Sequence, residues 1–281
     1  MNIIFQKRYK MYKAFKINGN NIIDDSNSQE YTEYLSAGKH LYHRFKKNIE
    51  ENLSAFRNAD GTLNGRKLTS EWFPLINADV FISHSHKDIN TALLLSGFLY
   101  KKQNLLCFID SCVWGYADVL LKSIDNEYCR KNNGSYSYEK RNFSTSHVHM
   151  MLSIALTKMI YNTECLLFLN TPNSICPKDV IPDNLNEDET LSPWIHTEIE
   201  MTKLVQSRSP EEHRIFQKSF CVLDEGLAIK QPADTSNMEL LKYEKLYSWA
   251  DRKYKDKFDA LNNLYTINKK KPNVVYGSIR R

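Results

Sequence analysis

The chain of 281 residues contains no Cys-x-x-Cys pair, no apolar run long enough to cross a bilayer and no internal repeat. Its six cysteines, Cys107, Cys112, Cys129, Cys165, Cys176 and Cys221, stand singly, which argues against paired-cysteine zinc and redox motifs. A membrane helix needs about 20 consecutive apolar residues, and none is present, so no membrane partner is expected. There is no Gly-x-x-x-x-Gly-Lys loop, which speaks against nucleoside triphosphate hydrolysis. No Gly-x-Ser-x-Gly elbow surrounds Ser83 or Ser85, so neither reads as a nucleophile, and both are expected to bond backbone groups or a ribose. Met1–Phe5 is too short an apolar opening for a leader, and Lys7-Arg8 follows it. The expectation is therefore a cytoplasmic protein with free thiols. Charge of one sign is also scarce. The net charge is +5, and part of it sits in Lys269-Lys270-Lys271 and Arg280-Arg281, without the interleaved aromatics of a base-stacking surface. That tail reads as a solvated end, and no nucleic acid is expected.

What is present suffices for a core: 42% apolar and 12% aromatic residues over this length. Residues 1–36 read as polar and irregular. Leu41, Phe45, Ile49, Leu53 and Phe56 recur at helical spacing, which predicts one amphipathic helix over residues 39–57. From residue 79 short apolar runs alternate with helical patterns. Asp79–Ser83, Leu105–Ile109, Cys165–Leu169 and Phe220–Leu223 read as buried strands. Helices are expected over 91–100 behind a possible Asp88 cap, over 117–125, over 146–160 and from Ser192 to about Val205. Residues 127–143 read as an inserted loop, and 171–191 as a loop rich in Pro and Asn. Residues 237–268 read as helical. Strand–helix alternation implies a parallel sheet covered on both faces, with ligands bound outside the carboxyl ends of its strands. Loops at Ser83–Asp88, after Asp110, and at 171–193 qualify.

One segment carries a chemical suggestion: Ser192-Pro193-Trp194-Ile195-His196-Thr197-Glu198-Ile199-Glu200. Serine followed by proline is a helix start. Trp194 and Glu198, four apart, share a face with Ile195 and Ile199 beside them, whereas Glu200 turns toward Lys203. A carboxylate on a half-buried face needs a partner. It either pairs with groups of its own domain or serves a ligand. Two His-x-His pairs, His84/His86 and His147/His149, lack metal-ligand spacing, so no metal is expected. His147 and His149 read as capping or surface residues at a helix start, and His86 as a possible substrate contact.

Asp79-Val80-Phe81-Ile82-Ser83 resembles the first strand and loop of TIR (Toll/interleukin-1 receptor) domains, and Phe108-Ile109-Asp110 resembles the end of their second strand. Trp194–Ile199 is similar to the Trp-x-x-x-Glu-[Leu/Ile] helix of the NAD-cleaving members, including bacterial anti-phage defence proteins. The resemblance covers roughly residues 78–225. It implies a flavodoxin-like fold with five parallel strands in a TIR domain over 78–230, a helix-bearing extension over 1–77 and a helical extension with a basic tail over 231–281. It also implies an NAD+ glycohydrolase or ADP-ribosyl cyclase that depletes NAD or makes a nucleotide signal for a separate effector. In that family Glu198 matches the catalytic glutamate and Trp194 an aromatic beside the substrate. Ser83, His84, Ser85 and His86 match a loop bordering the NAD site. Asp110 and Trp114 match a loop covering a neighbouring subunit's site, so self-association is implied too. NAD+ is the substrate, with no separate cofactor. The alternative is a non-catalytic TIR adaptor acting by association. The loop His84-Ser85-His86-Lys87-Asp88 lacks the arginine or glycine frequent in the family, and the 127–143 insertion is atypical.

Overall fold

The computed structural model describes residues 13–19, 28–45, 52–109, 111–175, 188–205, 231–232 and 234–268, with backbone alone for 112–116 and 231–232. The expected strand at Phe220–Leu223, Asp110, most of the 171–191 loop and the basic tail lie outside the described residues.

The main sheet is parallel throughout. Its strands are β1 (Lys13–Asn18), β2 (Val80–Ser83), β3 (Cys107–Ile109), β4 (Cys165–Asn170) and, after a small antiparallel pair β5 (Glu189–Thr190) and β6 (Gln231–Pro232), β7 (Glu239–Leu240). The order is β3-β2-β4-β1-β7. Val80 pairs with both Cys107 and Cys165, while β1 runs along β4 from Lys13 opposite Cys165 to Asn18 opposite Asn170. Side chains alternate between two cores, as a period of two requires. Phe81, Phe108, Leu166 and Phe168 face one side, and Val80, Ile82, Ile109, Leu167 and Leu169 face the other.

The first face is covered by α2 (Gly65–Trp72), α4 (Ser111–Ile124), α5 (Tyr138–Asn162) and α6 (Pro193–Leu204). The second is covered by α1 (Gln29–Phe45), α3 (Ile89–Gln103), α7 (Tyr243–Ala250) and α8 (Lys257–Tyr265). None of these helices is long and apolar enough to cross a membrane, among the described residues.

Five expectations need correction. Residues 237–268 are not helical throughout, since Glu239–Leu240 form β7 at the end of the sheet, ahead of α7 and α8. The opening segment is not wholly irregular, because it supplies β1 to the middle of the sheet. The stripe from Leu41 to Phe56 is not one helix. Leu41 is buried on α1, whereas Leu53 and Phe56 sit in a separate 3-10 turn packed on the opposite face; Ile49 lies outside the described residues. The segment after Asp110 is not a loop, since α4 begins at Ser111 and carries Trp114 in its first turn. Residues 127–143 form a π-helical turn (Asp125–Cys129), a short loop and the start of α5, which puts His147 and His149 well inside that helix.

The β3-β2-β4 half repeats the 2-1-3 order of flavodoxin-like sheets. Beyond β4, β1 stands where their fourth strand would. The chain leaves β2 toward β3 and leaves β4 toward the other edge, so the order reverses between β2 and β4. In open α/β sheets the crevice outside the carboxyl ends of the strands at such a reversal is the preferred ligand position.

Candidate functional site

Ser83 is the last residue of β2, at this reversal. Glu198 reaches it from α6, the helix that follows β4. That helix starts as its sequence demands. Ser192 accepts a hydrogen bond from the Ile195 amide, and Pro193 occupies the first helical turn. Ile195, Glu198, Ile199, Met201 and Thr202 form its buried face. The Ser83 hydroxyl donates to Glu198 Oε2 at 2.6 Å. Both side chains are about 1% exposed, so the carboxylate is fully buried where the sequence suggested a half-buried one. A buried carboxylate is stabilised only by partners that satisfy it, and Ser83 is one of them. Glu200, two residues on, turns outward to Lys203 at 2.7 Å, as its position on the helix suggested.

The other candidate residues distribute unevenly. His84 is fully buried directly after Ser83, Ser85 is half-buried, and His86 is exposed on a 3-10 turn (His86–Asp88). Trp194 lies one helical turn before Glu198 and packs, half-buried, on the first core. Its ring meets His149 of α5 edge-on, with centroids 5.6 Å apart and planes at 85°. His147 instead meets Phe143 at 4.5 Å. Thus Ser83 and Glu198 come into contact, whereas His86 points to solvent. The Trp114 side chain and Asp110 lie outside the described residues.

A second polar cluster was not foreseen. Asp88 occupies the cap position of α3 but makes no capping hydrogen bond with its side chain. Its carboxylate instead accepts from Thr171 Oγ1 at 2.5 Å and from Asn173 Nδ2 at 2.8 Å. This ties the loop after β2 to the loop after β4. Ser174 adds a bond from its hydroxyl to the Leu169 carbonyl, and Thr190 reaches the Ser174 carbonyl. The run Thr171-Pro172-Asn173-Ser174 is rich in residues that bond their own backbone in turns, which was the available signal. Asp88, however, reads equally well as a helix cap. The cluster fixes the two loops that follow β2 and β4, beside the buried Ser83–Glu198 pair.

Chemically, the arrangement offers one desolvated carboxylate beside a hydroxyl donor, with an aromatic ring a turn away on the same helix. Such a group accepts hydrogen bonds from vicinal hydroxyls and favours positive charge near it, since Coulomb interactions strengthen in a low dielectric. Compared with known protein families, with curated proteins and with solved structures, the chain matches none.

Proposed function

We propose that the chain is a TIR-type enzyme that cleaves the nicotinamide–ribose bond of NAD+, with Glu198 as the key carboxylate. The observation that carries this reading is the Ser83–Glu198 contact at the point of strand reversal. In the reaction the C–N bond to nicotinamide breaks and its electron pair leaves with the ring nitrogen. Nicotinamide departs neutral, and no general acid is required. The ribose carbon becomes cationic, and water, or a nucleophile within the same nucleotide, adds to it and loses a proton. Glu198 stabilises the cation electrostatically, in contrast to glycosidases that divide the work between two carboxylates. The Ser83 hydroxyl stands where a ribose hydroxyl could bond Oε2, and Trp194 offers an apolar wall. The products, a linear or cyclic nucleotide, would act as a signal on a separate effector or simply reflect NAD depletion, as in bacterial anti-phage defence. Self-association through TIR domains belongs to the same reading.

The burial of Glu198 favours one other reading. A carboxylate that is 1% exposed and bonded to its own fold also suits a non-catalytic TIR adaptor in which the pair is structural. One experiment separates the two: incubating the purified full chain at high concentration with NAD+ and resolving the products by mass spectrometry. Release of nicotinamide that disappears in Glu198→Gln is the expected result, and no turnover at any concentration leaves the adaptor.

A further inference from the structure

The long helix α5 presents an unusual outer face. Val148, Leu152, Ala155, Leu156, Met159 and Ile160 are buried against the sheet. On the opposite side Phe143 is 69% exposed, Met150 39%, Ile154 45% and Tyr161 45%. At 3.6 residues per turn these four fall within a strip about 40° wide, directly opposite Leu152. Surface helices normally carry charge on such a face. Between Phe143 and Asn162 the single Asp, Glu, Lys or Arg is Lys158. Leu75, also strongly exposed, stands at the rim of an adjoining groove of about 570 Å³ that Phe73, Pro74, Met151 and Ile154 help to line.

The spacing of the strip identifies its occupant. Within the strip, which leaves out the exposed Tyr138 at the start of α5, the four residues are separated by 7, 4 and 7 positions, so their pattern reads the same in either direction along the helix. A twofold interface requires this self-complementarity, because each contact between two residues must recur with the copies exchanged. In an antiparallel pair centred between Met150 and Ile154, Phe143 of one copy faces Tyr161 of the other, and Met150 faces Ile154. Lys158 falls opposite Ser146, so no like charges oppose each other.

We infer that this face docks a second copy of the chain, α5 against α5, antiparallel about a twofold axis between Met150 and Ile154. The strip is about 27 Å long on a helix about 10 Å across, and the groove beside α2 extends it. A face of this size is small for a specific interface, so the association depends on protein concentration. The inference is independent of any role for Glu198.

Sedimentation velocity of the full chain over a concentration series tests it. The expected result is a monomer–dimer equilibrium that Ile154→Glu weakens at least tenfold. Because Ile154 is exposed, circular dichroism should be unchanged. If that variant fails to fold, Phe143→Glu at the most exposed position carries the same test. The register is read with a short thiol cross-linker and peptide mass spectrometry. The Phe143→Cys/Tyr161→Cys variant should give a 143–161 linkage between chains, and Phe143→Cys alone no 143–143 linkage. A wild-type chain that stays monomeric to its solubility limit, or a dimer indifferent to Ile154→Glu, overturns the proposal.

Discussion

Ser83 and Glu198 lie 115 residues apart in sequence and 2.6 Å apart in space, and this bond couples the end of β2 to the helix after β4. Because the pair is buried, substitutions there affect both stability and activity. Glu198→Gln keeps an oxygen that accepts from Ser83 and removes the charge. It should fold with a melting temperature within a few degrees of the parent while NAD+ cleavage falls at least 100-fold. Glu198→Ala leaves a cavity and an unpaired Ser83 hydroxyl, and should cost about 2–4 kcal/mol; it is the less informative variant. Glu200→Gln, on the solvent side, should leave activity within twofold. Nicotinamide release with a parallel thermal melt checks all three. Retained turnover in Glu198→Gln would remove this residue from the chemistry.

Ser83→Ala isolates the donor. Removing the hydroxyl leaves Glu198 Oε2 short of a partner in a dry site, which typically costs about 1–3 kcal/mol. If the Ser83 hydroxyl merely stabilises the apo fold, urea unfolding should show that loss and the KM for NAD+ should hold. If it also positions the carboxylate, kcat should fall with KM little changed.

These tests rest on a site only partly legible in the sequence. Ser192-Pro193 announced α6, and the spacing of Trp194 and Glu198 placed both on it. Apolar runs marked β2, β3 and β4 because a buried parallel strand has little room for polar residues. β1 escaped notice because Lys13 and Lys16 interrupt its run. Their amino groups find charged or polar partners: Lys13 pairs with Glu239 and bonds the Tyr265 carbonyl, and Lys16 bonds Thr235. Such snorkelling hides a strand from any reading by hydropathy. The contact between Ser83 and Glu198 is a product of tertiary folding, and the partners of Asp88 likewise depend on which loops the sheet brings together.

Asp88 itself gives a third expectation. Its carboxylate takes one donor on each oxygen, and hydrogen bonds to a charged acceptor contribute about 1.5–3 kcal/mol. Asp88→Asn cannot accept both, because its amide nitrogen would face a donor. It should lose about 2 kcal/mol in urea unfolding and speed amide exchange in residues 171–175. A variant as stable as the parent would show that the loops are held by other contacts.

Alkaline stability follows from two tyrosines, the half-buried Tyr243 and the buried Tyr265. Burial pushes the Tyr243 hydroxyl up to about 12, with nearby Tyr247 adding to the effect, and pushes Tyr265 further. An unfolded tyrosine titrates near 10. Between these values the unfolded chain has given up protons that the folded chain keeps. The stabilisation is therefore complete below about pH 10 and is lost as pH rises through 12. Resistance to urea should fall steadily as pH rises from 10 toward 12. Tyr243→Phe, which loses a bond to the Gly19 carbonyl, should be about 1 kcal/mol less stable at pH 9. That deficit should shrink toward pH 11.

The last expectation turns on sign. In an exposed helix, replacing glycine by alanine stabilises by about 0.5–1 kcal/mol. Gly38 of α1 and Gly97 of α3 should do the opposite. A Cβ on Gly38 would lie 1.8 Å from the Leu93 carbonyl oxygen, and one on Gly97 would lie 1.8 Å from the Tyr34 carbonyl oxygen. Both obstacles are backbone, so no side-chain rotation relieves them, and the helices must move apart. The contact they would open includes Tyr34 edge-on to Phe98, with centroids 5.5 Å apart. Overpacking a closed interface costs about 1–3 kcal/mol and sometimes more, and backbone overlap on this scale belongs at the upper end. Gly38→Ala and Gly97→Ala should each lower the urea midpoint by the equivalent of about 3 kcal/mol. The double variant should cost less than the sum, since one separation of the helices relieves both overlaps. Stabilisation by either alanine would mean that α1 does not rest on α3 in solution.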